Sequence, residues 1–364
     1  MRKQESSLMD SAHSGLFAVS DEKRLQLKQD VDLRDHSTMR VGGSAKFFAE
    51  ANSVADVECA HAWAAQRDIS VYTIGSGSNI IWSDAGYSGL VLKNKISGFH
   101  VLSRHNDQFE IQLGAGEILD EVVARTTRMG LTGMECLSFI PGTCGGAIIQ
   151  NSGAYGQEIS QVLQSVDVFD TASYKVAVLK TKACNLGYRS SRFKNEEPGR
   201  HVILGFTVKL RHGPANRTTY PALLDLLGDR ALYSSVDMRA AVISIRESKL
   251  PDPAMVPNCG SFFTNPILLA RDVNTALRND RAPLHLLETG KYKVPAAWLI
   301  ERSGFKGHSD AGLGFGTWAT QPLVLYAMHP SSCTKLQQYS ILIKKAVLKK
   351  FGVNLVQEPV LVEQ

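Results

Sequence analysis

Several absences narrow this chain before any motif is considered. Its six cysteines are Cys59, Cys136, Cys144, Cys184, Cys259 and Cys333; none forms a CxxC pair, and no Cys/His run has zinc spacing. A zinc ribbon is thereby excluded, and free thiols in a reducing compartment are the simplest reading. No run approaches 18 apolar residues, so no membrane span is expected. The first residues, MRKQESSLMDSAHSGLFAVSDEKR, hold no apolar stretch of signal-peptide length, so a cytoplasmic location is expected. There is no strong excess of one charge: 40 basic against 35 acidic residues leave a net +5, which is not a nucleic-acid signature and suits a small anionic substrate equally well. Internal repeats and low-complexity segments are also missing. What remains is 364 residues, 44% of them hydrophobic, enough for a large core and two or three domains.

The most informative stretch is Ser138 to Gly156, SFIPGTCGGAIIQNSGAYG. Gly142, Gly145, Gly146, Gly153 and Gly156 lie among Thr143, Gln150, Asn151 and Ser152, and Pro141 marks a fixed turn. Two readings stand: a backbone lining for a flat or phosphorylated ligand, or a buried glycine-rich turn between strands. A second glycine cluster, Gly75-Ser76-Gly77-Ser78-Asn79, follows the apolar strand VYTIG. It is a candidate pyrophosphate cradle, but not a GxGxxG fingerprint: Ile80 follows and no amphipathic helix comes directly after. An ordinary strand–loop–strand turn is the alternative.

Around these clusters the pattern is mixed. KFFAEA reads as a strand, and Ser53 with Asp56 as the start of a helix to about Asp68 with Val57, Ala60 and Ala64 on one face. Gly116 opens a second helix with Ile118, Leu119, Val122 and Val123 inward, ending at Gly130. Val166/Val168 and Val176/Val178 alternate around a polar turn, a hairpin pattern. Val202, Leu204, Phe206, Val208 and Leu210 alternate as a half-buried strand. A helix is expected over Ser235 to Lys249, closed by Leu250-Pro251-Asp252-Pro253, where a domain boundary falls. Another is expected around 293–303. A last helix puts Leu336, Tyr339, Ile343 and Val347 on one face and ends at Gly352, and residues 353–362 read as a final strand carrying Glu358.

TMRVGG, GSGSNII, IPGTCGGAIIQNSGAYG, GYRSSRFK, KLPDP, GSFFTNP, AAWLIE and LVQEPV occur in this order between about Leu33 and Val362. Taken together they closely resemble the UDP-N-acetylenolpyruvoylglucosamine reductase family, flavoenzymes of bacterial peptidoglycan synthesis. The resemblance implies an α+β fold: a two-part FAD-binding domain of the vanillyl-alcohol-oxidase-like type, plus a separate C-terminal substrate-binding domain. The implied division is a flexible N-terminal extension over 1–25, a first FAD-binding part over 26–95 completed by the C-terminal strand 352–364, a second part over 96–250 and a substrate domain over 251–351. It further implies that the C-terminal strand brings Glu358 back to the flavin region. Non-covalent FAD is the implied cofactor, NADPH the co-substrate, and UDP-N-acetylglucosamine enolpyruvate the substrate, with no nucleic-acid or membrane partner. A monomer or weak oligomer is expected.

The family's reaction delivers hydride from flavin N5 to C3 of the enolpyruvyl group and a proton to C2. Such chemistry needs a fixed cation where negative charge develops toward the substrate carboxylate, and a proton donor at the other carbon. By resemblance Arg189 in GYRSSRFK is the carboxylate-binding arginine, always charged and bidentate. Ser261 in GSFFTNP is the proton donor, and Glu358 the acidic partner. Substrate contacts carried over are Tyr220, by order and distance, Lys249 in KLPDP near the pyrophosphate, and Asn265. Those for FAD are Gly75, Ser76, Gly77, Ser78, Asn79, Ile80, Pro141, Gly142, Thr143, Gly145, Gly146 and Arg246. On their own these would read as a solvated arginine, a strand-end serine, an exposed strand glutamate, a packed loop tyrosine, a surface lysine and a turn asparagine.

Thr264 stands where many members carry a basic residue, and Met134 replaces leucine in Gly-Leu-Glu, a change that conserves volume. Before Lys291, where some members place a tyrosine, only His285 is on offer. Two other readings compete. An FAD oxidase of the wider superfamily is disfavoured by Lys249, Ser261 and Asn265, and a silent nucleotide-sugar-binding flavoprotein by the presence of Arg189, Ser261 and Glu358 together.

Overall fold

The computed structural model describes residues 25–363 apart from 216, 217, 229 and 231. Most of the extension expected over 1–25 lies outside them. Leu25 does not behave as an extension: it is 2% exposed and packs in the core beside Phe169 and Trp63.

The first sheet runs in the order Lys28–Asp32, Ser44–Ala51, Tyr87–Asn94, Val71–Ile74. Its outer pair is antiparallel and the rest parallel. Parallel neighbours require a crossover, supplied after Ser44–Ala51 by the helix Val54–Ala65. Ser53 caps that helix by accepting from Asp56 N–H at 3.2 Å, as its spacing predicts.

The second sheet is antiparallel, in the order Lys175–Lys180, Leu163–Asp170, His201–His212, Gln108–Gly114, Phe99–His105. The expected hairpin is present, with Val168 opposite Ala177. The strand expected to be half-buried is instead buried on both faces. A bulge opposite Asp167/Val168 inserts one residue near Gly205 and reverses the phase of the side chains. Phe206, Val208 and Leu210 therefore face a core with Ile111, Leu113 and Val123. Val202 and Leu204 face the other way, into a core shared with Ala49, Trp63, Leu90 and Leu92 of the first sheet and its helix. The two sheets thus pack against each other through this one strand. On the other side of the second sheet lies the helix Leu119–Arg128, which buries Val122 and Val123. Ile118, expected inward, is 40% exposed because it is the extended cap residue before that helix.

Beyond the prolines, Asn258–Ser261, Val324–Ala327, Phe315–Thr317 and Ser309–Asp310 form a third sheet. The long helix Cys333–Phe351 packs on it through Leu336, Tyr339, Ile343 and Val347, all fully buried as the periodicity predicts. Its core also takes in Met39, Val41 and Ile81 from the first unit, beside Phe262 and Phe263. Each fully buried Phe contributes roughly 1.5–3 kcal/mol, so the segments on either side of Pro251–Pro253 are joined through one core. Two polar ties reinforce this: Asp84 accepts from Cys333 and Thr334 N–H at 2.7 and 2.8 Å, and Arg40 donates to the carbonyls of Pro253 and Ala254.

The tail is shorter as a strand than its apolar run suggests. Val353 and Leu355 insert into the third core, Gln357 bridges to Phe263, and only Val360–Val362 pair, in parallel, with Ile80–Trp82. Pro359 lacks the N–H that would extend the ladder.

Candidate functional site

One cleft, with about 1180 Å³ of empty volume partly continuous with solvent, gathers the two glycine clusters, the basic loop, the turn before Phe262 and the tail. Its floor is the residues 75–80, and glycine there is a steric necessity. Gly77 has φ +72°, and a Cβ on it would lie 2.0 Å from the His36 carbonyl oxygen. At Gly75 a Cβ would fall 2.1 Å from Thr143 Oγ1. The two clusters are laced together by Ser78 Oγ, which donates to the Pro141 carbonyl at 3.2 Å. Ser76 Oγ is buried with no protein partner. An unpartnered buried hydroxyl within a glycine-rich floor matches what a polar, flat cofactor such as a dinucleotide requires.

The stretch after Pro141 lines the cleft, as the first of its two readings expects, but it is a helix and not a turn between strands. Cys144–Gln150 is a short helix, begun at Thr143 and closed by Asn151 in the left-handed region. Gly145 and Gly146 disfavour helix by about 1 kcal/mol each relative to alanine, and close packing overrides that. Gly145 N–H donates to the Ala115 carbonyl at 2.8 Å, and a Cβ there would sit 3.0 Å from Ala115 Cβ. Gly145 accordingly lies behind the cleft wall and is not among the lining residues, unlike the other eleven positions expected to hold the cofactor. Arg246 enters from the helix Ser235–Lys249. Its Nε donates to the Phe139 carbonyl at 3.2 Å, and burial pulls its guanidinium below the usual arginine range.

At the opposite end stand Arg189, Ser261 and Glu358. Arg189 occupies the left-handed region, φ 51°, inside a tight turn closed by mutual Gly187–Ser190 backbone hydrogen bonds. Its Nε lies 2.9 Å from Glu358 Oε1, and a terminal nitrogen donates to the Gly153 carbonyl at 3.0 Å. The two side chains are 24% and 13% exposed. Burial pushes the Glu358 carboxyl above the ordinary glutamate range, against the opposing pull of Arg189 and Lys194. Glu358 N–H donates to the Phe262 carbonyl at 2.9 Å, which fixes the tail beside Ser261. Ser261 itself is aimed by a local irregularity: Gly260 has φ +69°, the register shifts between Asn258 and Ser261, and the buried Asn258 amide accepts from Gly260 N–H at 2.9 Å. Among the described residues the Ser261 hydroxyl makes no hydrogen bond, and it is exposed to the cleft.

Of the expected substrate contacts, Asn265 lines a neighbouring groove that shares Arg189; its Oδ1 accepts from Ala296 N–H and its own N–H donates to Tyr188 Oη. Lys249 and Tyr220 line neither. Lys249 is exposed at a helix end, its carbonyl accepting from Thr320 Oγ1. Tyr220 is 42% exposed and meets Tyr155 edge-on, ring centroids 5.7 Å apart. Thr264 sits in the groove and donates to the Val356 carbonyl, and His285 is an exposed strand residue away from both. Sequence reasoning missed several lining residues. Tyr72 and Thr73 come from the strand before the floor, Cys259 from an extended segment that carries no local signal, and Val360 from the end of LVQEPV. Gln150 and Lys194 did lie within the motifs, and only their contacts single them out.

The six cysteines are all free thiols. Burial pushes Cys136 up to about 12 and Cys184 up to about 11, so neither is a ready nucleophile. The described residues contain no group of His, Cys, Asp and Glu side chains able to hold a metal, and no helix long and apolar enough to cross a membrane.

Residues 45–177 match the FAD binding domain family, and residues 252–362 the UDP-N-acetylenolpyruvoylglucosamine reductase C-terminal domain. Curated relatives named UDP-N-acetylenolpyruvoylglucosamine reductase include those of Amoebophilus asiaticus, 33% identical over 92% of this chain and 98% of its own length, and of Chromobacterium violaceum, 34% identical over 93% and 99%. The one from Pseudomonas aeruginosa is 34% identical over 92% and 98%. The crystal structure of the Thermus caldophilus reductase superposes with a TM-score of 0.66 over 93% of this chain and all of its own, at 19% identity, which supports the fold.

Proposed function

The chain belongs to the UDP-N-acetylenolpyruvoylglucosamine reductase family, and we propose that Arg189, Ser261 and Glu358 carry out its reaction. It is an FAD-containing oxidoreductase of peptidoglycan precursor synthesis, reducing UDP-N-acetylglucosamine enolpyruvate to UDP-N-acetylmuramate at the expense of NADPH. When bound, FAD would supply the hydride-transfer chemistry between NADPH and the enolpyruvyl group. In this reading Gly75–Ile80, Pro141–Thr143, Gly146 and Arg246 hold it. Arg189 binds the substrate carboxylate and stabilises the charge that builds there. Ser261 gives its proton to C2, and Glu358 orients Arg189 and the carboxylate together. Asn265 contacts the nucleotide-sugar portion from the groove, and in this reading Lys249 and Tyr220 contact it from outside both the cleft and the groove. The domain division follows the same reading: 26–95 with the tail, 96–250, and 251–351.

The observation that carries this is the convergence of Arg189 and Glu358, 169 positions apart in sequence, at 2.9 Å beside Ser261. The test is NADPH oxidation by the purified protein. It should require the enolpyruvyl nucleotide sugar and yield its lactyl ether; oxidation that runs on oxygen alone would overturn the assignment. The protein should be yellow. Gly77→Ala should weaken FAD binding at least about tenfold, since an L residue in the left-handed region costs about 1–2 kcal/mol before the clash with His36 is added. A variant that titrates with FAD like the parent would remove 75–80 from the cofactor site.

Tyr220 tests the nucleotide contact. The short helix Pro221–Leu227 that it precedes and its edge-on contact with Tyr155 make it a candidate cover. Tyr220→Ala should raise the substrate KM several-fold more than it slows flavin reduction by NADPH. Equal KM values would leave Tyr220 as packing for Tyr155.

A further inference from the structure

Lys194 lines the neighbouring groove that shares Arg189, beside the reacting end of the cleft; it has no task in this scheme, and its placement is specific. It sits on a single π-type turn, Arg192–Glu196, a conformation that recurs at functional sites. The turn is anchored to the glycine-rich helix: Ser191 Oγ donates to the Ile149 carbonyl at 2.7 Å and accepts from Lys194 N–H at 3.2 Å. The ammonium thereby comes between two elements of the site. Lys194 Nζ donates to Gln150 Oε1 at 2.8 Å and to the Arg189 carbonyl at 3.3 Å.

We propose that Lys194 is a positioning residue for the reduction. Its ammonium clamps the Arg189 carbonyl and the Gln150 side chain, so that the Arg189 guanidinium meets Glu358 and substrate in one geometry. It also adds a second positive charge facing Glu358. This rests on Arg189 and Glu358 being reaction residues.

Three features support it. Arg189 is a non-glycine residue in the left-handed region, and such a conformation persists only when its surroundings over-determine it. The Gly187–Ser190 pair holds the turn from within, and Lys194 alone among the described side chains grips the Arg189 carbonyl. Gln150 is the last residue of its helix and lines the cleft, so its amide is fixed from behind by the same ammonium. Finally, an ammonium with two acceptors is tolerated in a half-buried place where burial lowers its proton affinity and Glu358 restores part of it. The groups that face Glu358 are Arg189 and Lys194 from the basic loop, Tyr188 beside them, and Cys259 from the strand before Ser261.

The experiment compares Lys194→Met, Lys194→Arg and Arg189→Lys in the full-length FAD-loaded enzyme. Flavin content and Tm are read alongside kcat, KM and the acid limb of the kcat/KM profile. Lys194→Met should keep its flavin, lose about 10- to 100-fold in kcat and move the acid limb to higher pH, because Glu358 has lost one of its two cations. Lys194→Arg should recover most of the rate and return the limb toward the parent position. Unchanged kcat and an unmoved limb in Lys194→Met would overturn the proposal. So would loss of flavin and Tm in Lys194→Met with parental kcat per bound flavin, which would make Lys194 a scaffold only. If Lys194→Met does not fold, Gln150→Leu carries the test, with a several-fold loss of kcat expected and parental kcat refuting the clamp. Arg189→Lys separates the two levels: parental activity there would remove the underlying reading, whereas an inactive Arg189→Lys beside an active Lys194→Met would remove the clamp alone.

Discussion

Replacing Ser261 with alanine should slow oxidation of the reduced enzyme by the enolpyruvyl substrate roughly 10²–10⁴-fold, the usual contribution of a positioned general acid. It should leave reduction by NADPH almost untouched, because the proton is needed only where hydride has arrived. The structure gives the serine the required freedom. Gly260, at φ +69°, turns the strand so that residue 261 reaches the cleft, and the hydroxyl is committed to no protein partner among the described residues. A serine hydroxyl is a weak acid, so the alkoxide formed in passing needs positive charge nearby, and Arg189 lines the same cleft. Ser261→Cys should retain part of the rate, since a thiol can still donate a proton. Stopped-flow spectroscopy of the two half-reactions decides the matter. Equal slowing of both would make Ser261 a shaping residue, and slowing of neither would take the proton donor elsewhere in the cleft.

Much of the scaffold could be read from local pattern because local physics sets it. The helix Ser235–Lys249 has the expected ends because Ser234 and Asp237 form a reciprocal cap and Pro251 follows its last turn. The helix Cys333–Phe351 buries the four residues its period selects. Local pattern failed where a long-range contact decides. Nothing in HVILGFTVKL signals that a bulge near Gly205 splits its five apolar residues between two cores. Nothing in GTCGGAIIQ signals a helix, because it is the approach of Gly145 to Ala115 that allows one. The site divides in the same way. Motifs pointed to Arg189, Ser261, Glu358 and the glycine floor as separate positions. Their union depends on the tail lying between Phe262 and Asn79, through hydrogen bonds from Glu358 N–H to Phe262 and from Val360 N–H to Asn79. Lys194 stood in a motif without a role, because its meaning lies in two acceptors, Gln150 on another segment and the Arg189 carbonyl on its own loop.

Glu358→Gln should separate function from stability. A glutamine still offers an oxygen to Arg189 Nε but carries no charge, so turnover should fall on the order of 10²-fold, as when one preorganised electrostatic contact is lost. Stability should move the other way. Burial is the largest influence on Glu358 and raises its folded pKa above the unfolded value, with Arg189 and Lys194 only partly offsetting it. A raised pKa means that the folded state holds the proton more tightly than the unfolded chain. Its stabilising contribution is therefore complete below the unfolded value, about pH 4, and is lost as pH rises through the higher folded value. Above that point the parent carries a buried carboxylate that the variant lacks. The Tm of Glu358→Gln should thus match the parent near pH 4 and equal or exceed it at pH 8, while the variant turns over slowly throughout. Thermal melts across this range, run beside initial rates, test both halves. A variant less stable than the parent at pH 8 would show that the Arg189–Glu358 pair, 2.9 Å apart, outweighs its own desolvation. Parental turnover would remove Glu358 from the reaction and leave it as a counter-charge for Arg189.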